Sequence, residues 1–209
     1  MKTFSSTKPK GATSYRETAF GVISRQKLLN LELQGTKKGL HLIHKLISEN
    51  QKLDITPKLI LEIHNESFGW IFPEWAGKYR TVQVEFSGKI APPYHKVPEL
   101  ILETCQDLKE RFIHLDSADS NYLNGVLELL AWFQHRFVFI HPFLDYNGRV
   151  ARMLTILILL KLNLPPAEIK AETSNDRNKY LEAMYAADEG DYQKLINLIG
   201  DALKEYLSK

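Results

Sequence analysis

The sequence predicts a mainly α protein, a helical bundle carrying one β-hairpin, and three observations predict it. Two runs, Tyr122 to Phe139 and Val150 to Leu162, are long and apolar nearly all round, as helices buried at the centre of a bundle read. Several other segments repeat apolar residues at three- and four-residue spacing between polar positions. One stretch alone, Gly77 to Ile90, alternates residue by residue as a strand does. With 209 residues, 44% hydrophobic and 25% charged, the chain has enough material for one domain with a substantial core.

Residues 1 to 14 are rich in Lys, Ser, Thr and Gly without periodicity and read as a tail. Thr13-Ser14-Tyr15-Arg16-Glu17 leads into an apolar-containing segment, partly helical, that ends near Leu33. Gly35-Thr36 punctuates the chain, and Thr36 caps a helix running to about Asn50 with Leu40, Ile43, Leu46 and Ile47 on one stripe. The division is therefore 1–35 for the N-terminal tail and leading segment and 36–209 for the main domain. His41 and His44 flank the stripe, and without a third ligand they read as boundary histidines rather than a metal site.

Asp54-Ile55-Thr56-Pro57 is a helix start, with Thr as cap and Pro in the first turn, and Leu59, Ile60, Ile63 and His64 follow on one side as far as Phe68-Gly69. The hairpin over 77–90 turns at Ser87-Gly88 and is stopped by Pro92-Pro93. A lone hairpin is marginal alone, so it leans on the helices or offers its edge to a partner chain. Val97-Pro98 opens the next helix, and Ser117 to Asn121 separates it from the buried run. His135 and Arg136 near the end of that run suit its dipole, and His135 reads as a structural tether. Asn163-Leu164-Pro165-Pro166 stops the second apolar helix, and Ser174-Asn175 and 188–191 punctuate two final ones.

Between the two most hydrophobic helices lies His141-Pro142-Phe143-Leu144-Asp145-Tyr146-Asn147-Gly148-Arg149-Val150-Ala151-Arg152, a mixture that core packing does not demand. A helix beginning near Asn147 offers unpaired N–H groups and a positive dipole end to an anion. Arg149 and Arg152, three apart on that helix, share a face and can aim planar forks at one phosphate chain. Asp145 is acidic amid positive charge, where a Mg²⁺ bridging phosphates needs a ligand. His141, ordinarily titrating near ~6.5, can accept a proton from a hydroxyl. Together these residues read as nucleotidyl or phosphoryl transfer.

Those twelve residues resemble the signature of the Fic family, His-Pro-Phe-x-Asp/Glu-Gly-Asn-Gly-Arg-x-x-Arg, with Tyr146 where the family has glycine. The resemblance implies a Fic fold whose hairpin is the flap preceding the signature, and the transfer of AMP from ATP to a Ser, Thr or Tyr hydroxyl of a target protein. It implies His141 as general base, Asp145 as the Mg²⁺ ligand, and Asn147, Gly148, Arg149 and Arg152 as the phosphate cradle. Tyr146 is counted with these nucleotide-binding residues, and Tyr180, with Asp188, falls where relatives place residues near the nucleoside. Arg80, Thr81 and Val82 of the flap are implied to dock the target backbone. Thr13-Ser14-Tyr15-Arg16-Glu17-Thr18 resembles the family's inhibitory helix, whose Glu pairs with the second signature Arg, so Glu17 is expected on Arg152.

Glycine is used where backbone takes positive φ or approaches a ligand closely, and Tyr146 therefore leaves two alternatives open. One is another phosphate-containing donor; the other is a non-catalytic binding domain with Tyr146 filling the phosphate site. A net charge of +2 does not argue for nucleic acid. The longest apolar run, Ile156 to Leu160, is too short for a membrane span, and no leader resembles a signal peptide. Cys105 alone forms no intramolecular disulfide, consistent with a reducing compartment, and a cytoplasmic location is expected. A homo-oligomer is compatible with the sequence.

Overall fold

The computed structural model describes residues 16–171 and 173–208. In chain order these residues form β1 (Arg16–Thr18), β2 (Gly21–Ile23), α1 (Arg25–Glu49), α2 (Pro57–Phe68), β3 (Glu85–Phe86), β4 (Lys89–Ile90), a 3₁₀ turn (Tyr94–Lys96), α3 (Val97–Ile113), α4 (Tyr122–Ile140), α5 (Asn147–Lys161), α6 (Ser174–Asp188) and α7 (Gln193–Leu207). The tail and the first residues of the inhibitory-helix resemblance, up to Tyr15, lie outside the described residues.

Helices α4 and α5 are the centre, as their all-round apolar character requires. Leu130, Phe133, Phe137 and Ile140 of α4 and Val150, Leu154, Leu157 and Ile158 of α5 are fully buried. The start of α2 follows its sequence: Thr56 accepts the Leu59 N–H at 3.2 Å, and Pro57 occupies the first turn. None of the helices of the described residues is long and apolar enough to cross a membrane.

Three expectations are corrected. Gly35-Thr36 does not start a helix, because α1 runs through it unbroken from Arg25, capped by Ser24. Gly35 and Gly39 serve instead a close approach to α2, where a Cβ would stand 2.2 Å from the Ser67 carbonyl oxygen or 2.1 Å from the Ser67 hydroxyl. The described residues hold two hairpins rather than one, since β1 and β2 pair antiparallel with Arg16 opposite Ile23. Glu17 lies in β1 and not on a helix.

The predicted hairpin is also shorter than its alternation. The strands pair Glu85↔Ile90 and Phe86↔Lys89, extended by the Ala91 N–H donating to the Val84 carbonyl, while 79–83 form irregular backbone. Its turn falls where the sequence put it: Ser87 and Gly88 both take positive φ, 49° and 76°, as a two-residue hairpin turn needs.

Candidate active site

Residues 141–146 of the twelve join α4 to α5, and a non-glycine residue at positive φ stands at each end of that join. His141 (φ 52°) closes α4 and Tyr146 (φ 64°) precedes α5. Asn147, the first residue of α5, staples the loop. Its Oδ1 accepts the Phe143 N–H at 2.8 Å, and its Nδ2 donates to the Phe143 carbonyl at 2.9 Å. Phe143 is buried and stacked on His64 with ring centroids 3.7 Å apart. The turn thus rests on α2, and burial drives the His64 pKa down to about 3, keeping that ring neutral beneath it.

His141 Nδ1 lies 3.2 Å from the Val138 carbonyl. That carbonyl can only accept, so Nδ1 carries the proton and Nε2 is left with its lone pair. Burial lowers the pKa to about 4; the Val138 carbonyl and Asp145 work against this and Arg80 with it. The ring is therefore neutral at physiological pH. Flap residue Phe86 stacks on it at 4.2 Å and fixes its plane.

At the start of α5 the N–H groups of Asn147 and Gly148 have no intrahelical acceptor. The Arg152 guanidinium lies beside them, 3.8 Å from where a Gly148 Cβ would be. Arg149, on the first turn of α5, donates from Nη2 to Glu32 at 3.0 Å. Asp145 accepts the Tyr146 N–H at 2.7 Å and, on its other oxygen, the Arg16 guanidinium at 2.9 Å. Among the described residues there is no cluster of three metal-binding side chains. A lone carboxylate suits a Mg²⁺ that arrives with its phosphates and keeps its waters.

The Tyr146 side chain, expected among the nucleotide-binding residues, packs into the core instead. Its ring is buried under the turn, stacked on Phe68 at 4.0 Å and near Phe72 and Trp75, with its hydroxyl on Glu32 at 2.9 Å. A left-handed non-glycine residue costs about 1–3 kcal/mol. Ring stacking worth ~0.5–1.5 kcal/mol per pair and a buried charge-assisted hydrogen bond offset that. Burial and the Glu32 carboxylate both raise its phenol pKa, so it stays a donor.

Two expected roles change. Arg80 is 4% exposed, and its guanidinium is spent on the carbonyls of His141, Val82 and Pro92, so it clamps the flap base and its side chain is not presented to a target. Thr81 is exposed and Val82 partly so. Glu17, expected on Arg152, is exposed and forms no ion pair among the described residues. Successive strand residues face opposite ways, and Arg16 is the one turned to Asp145.

Tyr180 is buried, its hydroxyl accepting from Gln134 Nε2 at 2.7 Å, and it lines a cavity of about 40 Å³ with Phe86, Lys89, His135, Tyr185 and Asp188. Ordinary ligand pockets hold ~300–1,000 Å³, so the flap is closed on this space. Asp188 pairs with flap residue Lys89 and, at 3.1 Å, with His135, which is the tether the sequence indicated. Burial, then Lys89 and Arg136, lower the His135 pKa to about 4. Glu32, Arg16 and Phe86 are site residues that sequence reasoning missed; a Glu on an amphipathic helix carries no signal of burial.

A helical bundle that presents a neutral histidine and two arginines at a helix N-terminus, under a hairpin flap, defines the class of Fic-fold proteins. The chain belongs to the Fic/DOC family, whose profile matches residues 54–159. It is 34% identical over 172 residues to the protein adenylyltransferase Fic of Drosophila grimshawi, spanning 81% of this chain and 33% of that protein. The Drosophila yakuba counterpart is also 34% identical, over 81% of this chain and 32% of that protein. The chain thus spans about a third of the length of these curated relatives. Among solved structures, Fic-1 (residues 134–508) of C. elegans superposes with a TM-score of 0.64 at 27% identity, covering 85% of this chain and 50% of that one. A Fic-domain signaling protein from Bacteroides thetaiotaomicron shares the fold, with a TM-score of 0.70 at 20% identity over 85% of this chain and 70% of that one.

Proposed function

We propose that this chain is a protein adenylyltransferase that transfers AMP from Mg-ATP to a Ser, Thr or Tyr hydroxyl of a target protein. The observation that carries the reading is the neutral His141 with Nε2 left as acceptor, set beside a helix N-terminus that holds Arg149 and Arg152. The adenylyltransferase names of the Drosophila relatives support it.

In this reading the target hydroxyl oxygen attacks the α-phosphorus, the bond from that phosphorus to the bridging β oxygen breaks, and pyrophosphate leaves. The hydroxyl proton passes to His141 Nε2. The N–H groups of Asn147 and Gly148 and the guanidinium groups of Arg149 and Arg152 hold the triphosphate and neutralise the charge that grows on the leaving oxygens. Asp145 would hold a Mg²⁺, with the Arg16 guanidinium giving up its oxygen, and the metal would supply further charge neutralisation. The flap tip opens to admit the nucleoside beside Tyr180, and the segment with Thr81 and Val82 that leads into β3 receives the target backbone as an added strand.

The buried Tyr146 ring weighs against a phosphate site plugged by that side chain. The test is covalent self-labelling with Mg²⁺ and α-labelled ATP. Label should appear on the wild-type chain and fall ~10²–10⁴-fold in His141→Ala. Label that ignores His141, or a chain that binds no Mg-ATP, overturns the reading.

A further inference from the structure

Glu32 is a carboxylate only 1% exposed, and the chemistry described so far does not use it. Ionised, it accepts from three donors: Arg25 Nη1 at 2.6 Å and the Tyr146 hydroxyl at 2.9 Å on Oε1, and Arg149 Nη2 at 3.0 Å on Oε2. A buried carboxylate is retained only where such donors meet it. Its place follows from α1, whose Gly35 and Gly39 let that helix press on α2 one and two turns further along. The three donors are unequal. Arg25 is half-exposed at the rim, Tyr146 is locked in the aromatic cluster, and Arg149 belongs to the anion-binding turn.

We propose that Glu32 is a positioning residue for the nucleotide site: with the Tyr146 hydroxyl it anchors Arg149 by one Nη, so that the rest of the guanidinium fork is held ready for phosphate oxygens. This rests on the proposed transferase reading. Among the described residues Glu32 is the only hydrogen-bonded partner of that guanidinium, whose other contact is the Tyr146 ring at 6.0 Å, so without the carboxylate the fork keeps a ring beside it but no bond that fixes its orientation. An unanchored arginine costs more conformational entropy each time a phosphate is bound. Tyr146 acts in the same assembly. Its left-handed backbone preserves the turn that a glycine would make, and its hydroxyl holds the carboxylate that holds the arginine. The side chain at this position is thereby a support for donor binding rather than an obstruction.

The test uses the full chain with Mg-ATP as ligand, measuring Kd by titration and kcat and KM by self-labelling. Glu32→Gln should raise Kd and KM roughly ten- to hundredfold, as loss of an outer support does, with kcat little changed. Tyr146→Phe, which removes one donor and keeps the packing, should move Kd the same way by less. Both effects should vanish in an Arg149→Ala background, because the anchored group is then gone. Effects that persist in that background indicate general loosening and overturn the proposal. Tighter binding in Glu32→Gln also overturns it, since Glu32 would then compete with phosphate for Arg149.

A second readout needs no nucleotide. The Arg149 Nε–H signal in ¹⁵N spectra, assigned by its loss in Arg149→Lys, should be protected in the wild type and exchange fast in Glu32→Gln. A wild type that binds no Mg-ATP but shows this difference defeats the transferase reading and keeps the anchor. An Arg149 signal unaffected by Glu32→Gln defeats the anchor whatever the nucleotide does.

Discussion

The turn over residues 141–152 is held from below by two hydrogen bonds from one asparagine, a stacked His64–Phe143 pair and a tyrosine locked between α1 and α2. The flap tip over residues 85–90 has two-residue strands and rests on α6 through Lys89, Ser87 and Tyr185. The first region is built from buried contacts that are expensive to lose, the second, apart from the Phe86–His141 stack, from partly exposed contacts that are cheaper to break. Geometry of the chemistry and access to it are thus stored in different energetic ranges, and substitutions in the two regions should separate them.

The largest effect is expected at Tyr146→Gly, which installs the family's usual residue. Relief of the left-handed backbone does not match the loss of a buried ring, and the chain should lose ~3–4 kcal/mol in a urea unfolding titration. A gain in stability would show that the aromatic cluster is not what supports the turn. Asn147→Ala comes next, at about 2–3 kcal/mol, because both polar groups of the Phe143 backbone are left buried without partners. The check is a lowered melting temperature together with loss of self-labelling.

His64 gives a third, pH-dependent effect. Its folded pKa of about 3 lies below the ordinary value near 6.5, so the unfolded chain binds the extra proton first. Its contribution is fully present above pH ~6.5 and is lost as pH falls toward the folded value, at up to ~1.4 kcal/mol per pH unit. His135 and His141, both lowered to about 4, act in the same direction. His64→Phe should flatten the acid limb of stability against pH, and an unchanged limb would assign the acid sensitivity elsewhere. The smallest effect belongs to the flap: Lys89→Ala removes a partly exposed ion pair and should cost under ~1 kcal/mol. Nucleotide on-rates should nevertheless rise, which stopped-flow binding would detect. A large stability loss there would erase the contrast between the two regions.

What the sequence made legible follows the same division between local and distant causes. Thr56-Pro57 and the all-round apolar runs of α4 and α5 state their helices in neighbouring residues, and the structure has all three. Gly35 was unreadable because its reason is Ser67, thirty-two positions away on another helix. The β1–β2 hairpin escaped because its strands have three residues each, too few to establish a period. Within the site, the signature announced the residues of one contiguous turn, while Glu32, Arg16 and Phe86 reach it from elements the signature says nothing about. The Tyr146 side chain could not be placed from sequence, since its orientation is decided by Phe68 and Glu32 together.

Arg80 ties the two feet of the flap, at Val82 and Pro92, to the carbonyl of His141, and its own N–H donates to Pro142. The hairpin is therefore a lever whose fulcrum is bolted to the histidine's own backbone. A swing of the tip about that pivot would leave the loop that carries His141 in place and bring Phe86 back to the same ring.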